Sequence, residues 1–154
     1  MESSSQATAV SDVSAKDVRH GFRIGSDLLL IPLDTHSELA PLPRLCAIPD
    51  TPDWFAGFIN HRGDTVPAYD LYRLFDKPVQ EKRWVLILGL QSEAVALLLD
   101  DYPKGIVDLQ ASEISETTLS NAIAPFCRGY LSSGDDIWAE FDYKSFFRNL
   151  KQKI

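Results

Sequence analysis

From about residue 20 to residue 142, apolar and polar positions alternate in short runs bounded by Gly, Ser, Asp or Asn, the period of half-buried strands rather than of helices. GFRIG and LLLIPL flank the turn Gly25-Ser26-Asp27, and RWVLILGL and AVALLLD flank Gln91-Ser92-Glu93, so each pair reads as an antiparallel hairpin. FIN and TVPAYDL enclose the turn His61-Arg62-Gly63-Asp64, and GYL and IWAEFD enclose SSGDD. Pro67 cannot donate to a ladder, which predicts an edge strand or a bulge there. Helical patterns are few. Thr51-Pro52 resembles a cap followed by proline in the first helical position, giving one turn through Phe55. Asp70 is predicted to cap LYRLF, and Asp142 to cap YKSFFRNLKQKI, whose basic end suits a helix C-terminus.

These pieces repeat. Ile24 to Asp34 aligns with Leu90 to Asp100 at a constant offset, and Gly57-Phe58-Ile59 with Tyr69-Asp70 aligns with Gly129-Tyr130-Leu131 and Phe141-Asp142 at a slightly larger one. The extra residues fall in the polar segment Gln110 to Asn121, where an insertion costs little. The pattern predicts two similar β units joined near Asp76 to Lys82, with short strands and evenly spaced turns that favour small barrels over an open sheet. Phe22, Ile24, Leu29, Ile31, Phe58, Ile59, Val66, Leu86, Leu88, Val95, Leu97, Leu99 and Ile137 are the expected core.

Composition narrows the function. A chain of 154 residues suits one domain or two small subdomains sharing a core. Its net charge of −7 opposes direct binding to nucleic acid or anionic lipid, which need clustered Lys and Arg. The expected partner is therefore another protein or a small molecule. Cys46 and Cys127 match no CxxC or zinc spacing and read as reduced thiols of a cytosolic protein. Residues 1–19, rich in serine and poor in large apolar groups, have the composition of a disordered tail, with neither the cationic start nor the apolar run of a signal peptide. No apolar run approaches the roughly 20 residues of a membrane span.

The densest polar chemistry is the stretch GFINHRGDTVPAYDL, with Asn60, His61, Arg62, Asp64 and Asp70. No GxSxG elbow accompanies His61. His20, His36 and His61 stand singly, away from metal-ligand spacing. Asp100-Asp101 and Asp135-Asp136 are neighbours whose side chains point to opposite faces of a strand. GFINHRG lacks the ending of a phosphate loop. No catalytic constellation, metal site or cofactor is expected. Gly63 suits a positive φ, Asn60 and Asp64 suit backbone ties at the turn ends, and Arg62 brings five donors that either brace the turn or face a partner. The equivalent turn of the second half, Ser133-Gly134-Asp135, has no arginine.

WFAGFINHRGDTVPAYDLYRLF resembles the signature of the CheW-like family: Gly57, Phe58, Ile59, Asn60, Arg62, Gly63, Val66, Pro67, Asp70 and Leu71 are all present at the family spacing. GFRIGSDLLLIPLDTHSEL and VALLLDDYPKGIVDL resemble the family's opening hairpin and second-barrel hairpin. The resemblance implies a mainly β fold of two small five-stranded β-barrel subdomains around a shared apolar core, with short helices and a C-terminal helix. It places a first barrel at about 20–76, a second at about 83–142 and the helix at about 143–152, within a domain spanning 20–152. It implies a non-catalytic adaptor in the cytoplasm, coupling the cytoplasmic tip of a methyl-accepting chemoreceptor to the regulatory domain of a CheA-like histidine kinase. Candidate partner contacts are Asn60, His61, Arg62, Asp64, Ile106, Val107 and Leu109; Gly57, Gly63, Pro67 and Asp70 are structural. His61, Asp64-Thr65 and Ala68-Tyr69 depart from the family pattern, and TPDWFAGF is closer to its pilus-associated (twitching) branch than to the flagellar one. The competing readings are a regulator that has lost one partner, a small-molecule-binding β-barrel and, last, an enzyme.

Overall fold

The computed structural model describes residues 18–78, 80–112 and 119–154. Most of the expected tail, residues 1–17, and half of the polar segment, residues 113–118, lie outside the described residues; Arg19, assigned to the tail, already opens the first strand. Eleven strands follow: β1 (Arg19–Ile24), β2 (Asp27–Leu30), β3 (Ser37–Pro41), β4 (Phe55–His61), β5 (Asp64–Tyr69), β6 (Trp84–Leu88), β7 (Val95–Leu99), β8 (Lys104–Ile106), β9 (Gln110–Ala111), β10 (Cys127–Ser133) and β11 (Asp136–Phe141). Among the described residues two α-helices, α1 (Leu71–Leu74) and α2 (Tyr143–Lys151), follow β5 and β11. The helical turn expected from Thr51-Pro52 is a plain turn: Phe55 donates to the Pro52 carbonyl at 3.0 Å and at once begins β4.

All four expected hairpins form, but they do not sort into barrels in chain order. One sheet runs β3-β6-β7-β5-β4 and the other β8-β1-β2-β11-β10-β9. Hairpin β1–β2 from the first half thus joins the strands of the second, and β6–β7 from the second half joins the strands of the first. The split into 20–76 and 83–142 is replaced by this exchange. Its seams are two parallel pairs, Ala68↔Ala96 with Tyr69↔Leu97, and Ala139↔Leu29 with Glu140↔Leu30. The repeat survives the exchange, because the pair Ala68↔Ala96 and the pair Glu140↔Leu30 are the same pair under the two sequence offsets. Parallel pairing of distant segments leaves no turn signal, so only the local hairpins were readable. Pro67 sits in an internal strand, one residue before the ladder with β7 begins at Ala68, and the irregularity lies in β4 between Phe55 and Gly57.

Burial follows the two-barrel plan. Ile59, Val66, Val85, Ile87, Ala96 and Leu98 fill the inside of the five-stranded sheet, and Leu30, Ile106 and Trp138 fill the other. The largest cluster lies between them, where Ile24, Leu29, Leu86, Leu88, Leu97 and Leu99 meet the aromatic face of α2. Helix α2 buries Tyr143, Phe146, Phe147 and Leu150, spaced to share one face, and sets Phe147 with its ring centre 4.8 Å from that of Tyr69. Phe58 and Ile137, expected in the core, are only half-buried.

The exchanged hairpin is also pinned by charge. Asp27, buried at the start of β2, accepts from the Lys77 ammonium at 3.3 Å and from the Ser120 backbone N–H at 3.3 Å. Asp70 and Asp142 cap α1 and α2 as expected, Asp70 accepting from the backbone N–H groups of Tyr72 and Arg73 and Asp142 from that of Ser145. Their own N–H groups donate to Trp54 and Phe126 at 2.8 Å each, positions that are again equivalent in the repeat.

Candidate functional site

The β4–β5 turn closes with His61 opposite Asp64, leaving Arg62 and Gly63 as the two-residue loop. Their φ angles are +53° and +87°, the pair of positive values that a type I′ hairpin turn needs. Asn60 Oδ1 accepts from the Gly63 N–H at 3.2 Å. A side chain at Gly63 would touch nothing, so glycine is required there by conformation alone. Arginine at a left-handed position is uncommon and costs roughly 1–2 kcal/mol. The equivalent loop of the second half avoids that cost with Gly134, at φ +60°.

The Arg62 side chain has a partner. Its guanidinium lies 2.6 Å from Oε2 of Glu38 on β3, while His61 Nε2 lies 3.2 Å from Oε1 of the same carboxylate. Strands β3 and β4 are the two edges of their sheet, and the segment that follows β3 is bridged to β4 at Cys46↔Phe58. Glu38 therefore clamps the open part of this seam by side chains. The hydrogen bond from His61, reinforced by the Arg62 charge, holds the Glu38 carboxyl below its usual range. Arg62 itself stays 74% exposed, so one guanidinium both braces the turn and faces solvent.

Gly57 explains the other fixed glycine. Its φ is +114°, and a Cβ there would collide with the Cys46 carbonyl oxygen, so the bridge that closes the barrel exists only because residue 57 has no side chain. Asp70, in the same polar stretch of sequence, sits at the far end of β5, six residues or about 20 Å of strand from Asp64, where it caps α1. Ile106 ends β8 of the other sheet, and Val107 and Leu109 lie in the connection from β8 to β9. Ile106 is buried against Leu30 and Trp138 and is core rather than surface, Leu109 is half-buried, and Val107 is exposed.

A second feature was missed in the sequence. Three contiguous hollows, of about 280, 210 and 220 Å³, form a trough where the two sheets meet beside α2, and all three are walled by Tyr143 and Lys144. Leu33 and Leu90 project into it at 65% and 59% exposure, among the most exposed large apolar side chains of the molecule. Both lie in connections after strands and look like ordinary strand ends in the sequence. Among the described residues, no group of three or more His, Cys, Asp or Glu is placed to hold a metal ion, and no helix is long and apolar enough to cross a membrane.

A family model described as the CheW-like domain matches residues 20–151. The chain belongs to the CheW-like family. Protein FrzA of Myxococcus xanthus is 28% identical over 95 residues, a match that spans 60% of this chain and 59% of FrzA. The crystal structure of the scaffolding protein TtCheW from Thermoanaerobacter tengcongensis superposes with a TM-score of 0.63 at 21% identity, over 81% of this chain and 88% of TtCheW. The shared fold is thus the two-sheet CheW-like architecture.

Within that architecture the signature residues divide by task. Gly57 closes the first barrel, Asn60 and Gly63 shape the turn, Asp70 starts α1, and Arg62 reaches across the seam. Glu38, the residue that gives Arg62 its anchor, lies 23 positions upstream of His61 and belongs to no local pattern.

Proposed function

We propose that this CheW-like chain is a non-catalytic adaptor that couples a methyl-accepting chemoreceptor to a CheA-like histidine kinase, in chemotaxis or in twitching-type signalling. The observation that carries this reading is the trough between the sheets. Exposed Leu33 and Leu90 beside the aromatic root of α2 offer an apolar strip that one face of a partner helix would cover, in the helix-in-groove mode. Ile59, Val66, Val85 and Ile87 fill the interior of one sheet and Leu30 and Trp138 that of the other, which favours the adaptor reading over a barrel that holds a small molecule in its centre.

The turn at Arg62 supplies the second contact. Arg62, Asp64 and the exposed edge around Asn60 meet the kinase regulatory domain, with Glu38 holding the guanidinium in place. Receptor and kinase then occupy separate features of one chain, and the adaptor works in the cytoplasm through these partners rather than by membrane insertion.

The test is titration of the purified protein with a soluble receptor-tip fragment. Wild type binds saturably, and Leu33→Glu, which places a charge on the apolar strip at an exposed site, abolishes binding without lowering the melting temperature. Normal binding by that variant would remove the trough from the receptor interface.

A further inference from the structure

Helix α2 forms one wall of the trough, and its exposed face carries Lys144, Arg148 and Lys151, one and two turns apart, a row about 10 Å long. The row is cationic on a chain of net charge −7. Among the described residues none of the three has an ion-pair partner, whereas Arg19, Arg62, Arg73, Lys77, Lys82, Arg83 and Arg128 do, and the other cations without one, Arg23, Arg44, Lys104 and Lys153, do not line the trough. Helix stability explains only part of the row. Arg148 and Lys151 sit in the last turn, where cations favour the helix dipole, but Lys144 sits in the first turn, where that advantage is missing. Three cations in line along a groove, each without an ion-pair partner, point to an outside partner. Glu93 is the one carboxylate lining the stretch beside Arg148 and Lys151, whereas Asp34, Glu140 and Asp142 line the stretch beside Leu33.

We infer that the α2 wall selects an acidic partner helix: one whose apolar stripe covers Leu33 and Leu90 and whose flanking row of carboxylates, at i, i+4 and i+7, faces Lys144, Arg148 and Lys151. This deepens the adaptor reading and rests on it, since it assigns the chemistry by which the trough chooses among receptor helices. The spacing of the cations matches a helix lying along α2, and does not match an extended chain, whose side chains on one face recur about every 7 Å.

The test uses the full chain and three synthetic helical peptides of roughly 20 residues with the same leucine stripe. They differ only in the flanking row, which is Glu, Gln or Lys. Fluorescence anisotropy at low salt is expected to show the Glu peptide binding more than about tenfold tighter than the Gln peptide, with the Lys peptide weakest. The preference should shrink at high salt and vanish in the triple variant Lys144→Gln, Arg148→Gln, Lys151→Gln, which keeps the wild-type far-UV dichroism. The triple exchange Lys144→Arg, Arg148→Lys, Lys151→Arg should keep the preference. Equal binding of all three peptides would overturn the charge selection and leave apolar docking intact. No binding of any peptide by a chain that still binds the receptor-tip fragment would overturn the inference alone, and loss of both would overturn the adaptor reading with it. Capture by phosphatidylglycerol vesicles that the triple Gln variant abolishes, with no preference for the Glu peptide, would assign the row to lipid and contradict the proposal.

Discussion

Arg62 and Glu38 lie on opposite edges of one sheet, with the guanidinium 2.6 Å from the carboxylate across a seam that is bridged in backbone at Cys46↔Phe58. An exposed pair of this kind adds little stability. Its value is in fixing a charged group at the tip of a turn. Arg62→Glu should therefore weaken binding to the kinase regulatory domain more than about tenfold, with far-UV dichroism unchanged. The reciprocal double variant, Glu38→Arg with Arg62→Glu, restores the clamp but reverses its exposed charge. Binding that stays weak in the double variant marks Arg62 as interface; recovered binding marks it as a brace.

The two motif glycines should differ in what they tolerate. Gly63→Ala meets no neighbour and carries only the cost of a positive φ, roughly 1–2 kcal/mol. Gly57→Ala adds a collision with the Cys46 carbonyl, so its loss of stability should be the larger of the two. Thermal denaturation of both variants checks the order; a milder effect at Gly57 would mean that residues 46 and 47 move aside without loss.

What the sequence disclosed and what it hid follow one physical line. The Arg62-Gly63 turn and the caps Asp70 and Asp142 depend on neighbours within a few residues, so their chemistry is written locally. The exchange of hairpins depends on Tyr69 finding Leu97 and Ala139 finding Leu29, contacts that no periodicity encodes. Ile106 illustrates the same limit from the other side: its short strand looks like a surface candidate until Trp138 is seen to cover it. The trough escaped notice because Leu33 and Leu90 differ from core leucines only in which way the chain turns after them.

Stability should decline at both ends of the pH range for different reasons. Hydrogen bonds from His61 hold Glu38 low, and at Asp142 hydrogen bonds from Ser145 and Arg128 outweigh a burial that pushes the other way. Both carboxylates are less protonated in the folded chain than in the unfolded chain, so their stabilisation is complete above the unfolded values of 4.5 and 3.8 and is lost as pH falls through the depressed folded values. Burial pushes the Cys127 thiol up from 9.0 to about 11 and the Tyr69 hydroxyl from 10.0 to about 12. Each favours the folded chain while neutral, so stability falls as pH rises from 9.0 toward about 11, with Cys127 acting first. Denaturant melts of Cys127→Ala between pH 9 and 10 should lose that early slope; an identical slope in wild type and variant would exclude the thiol as its source.

Leu97 is fully buried in the shared core, opposite Tyr69 in the parallel pair. Leu97→Ala should cost about 2–5 kcal/mol in chemical denaturation, the range for a leucine truncated in a packed core. An unchanged midpoint would contradict the register between β5 and β7.

Coupling two partners at once is the central claim, and it is tested most directly by one calorimetric series. The protein is titrated with a CheA-like kinase regulatory domain, alone and after saturation with a receptor-tip fragment. The expected result is saturable binding in both titrations, with Arg62→Glu affecting the kinase titration and Leu33→Glu the receptor titration, each leaving the other intact. Absence of binding to either partner, or competition between them for one surface, would contradict the adaptor.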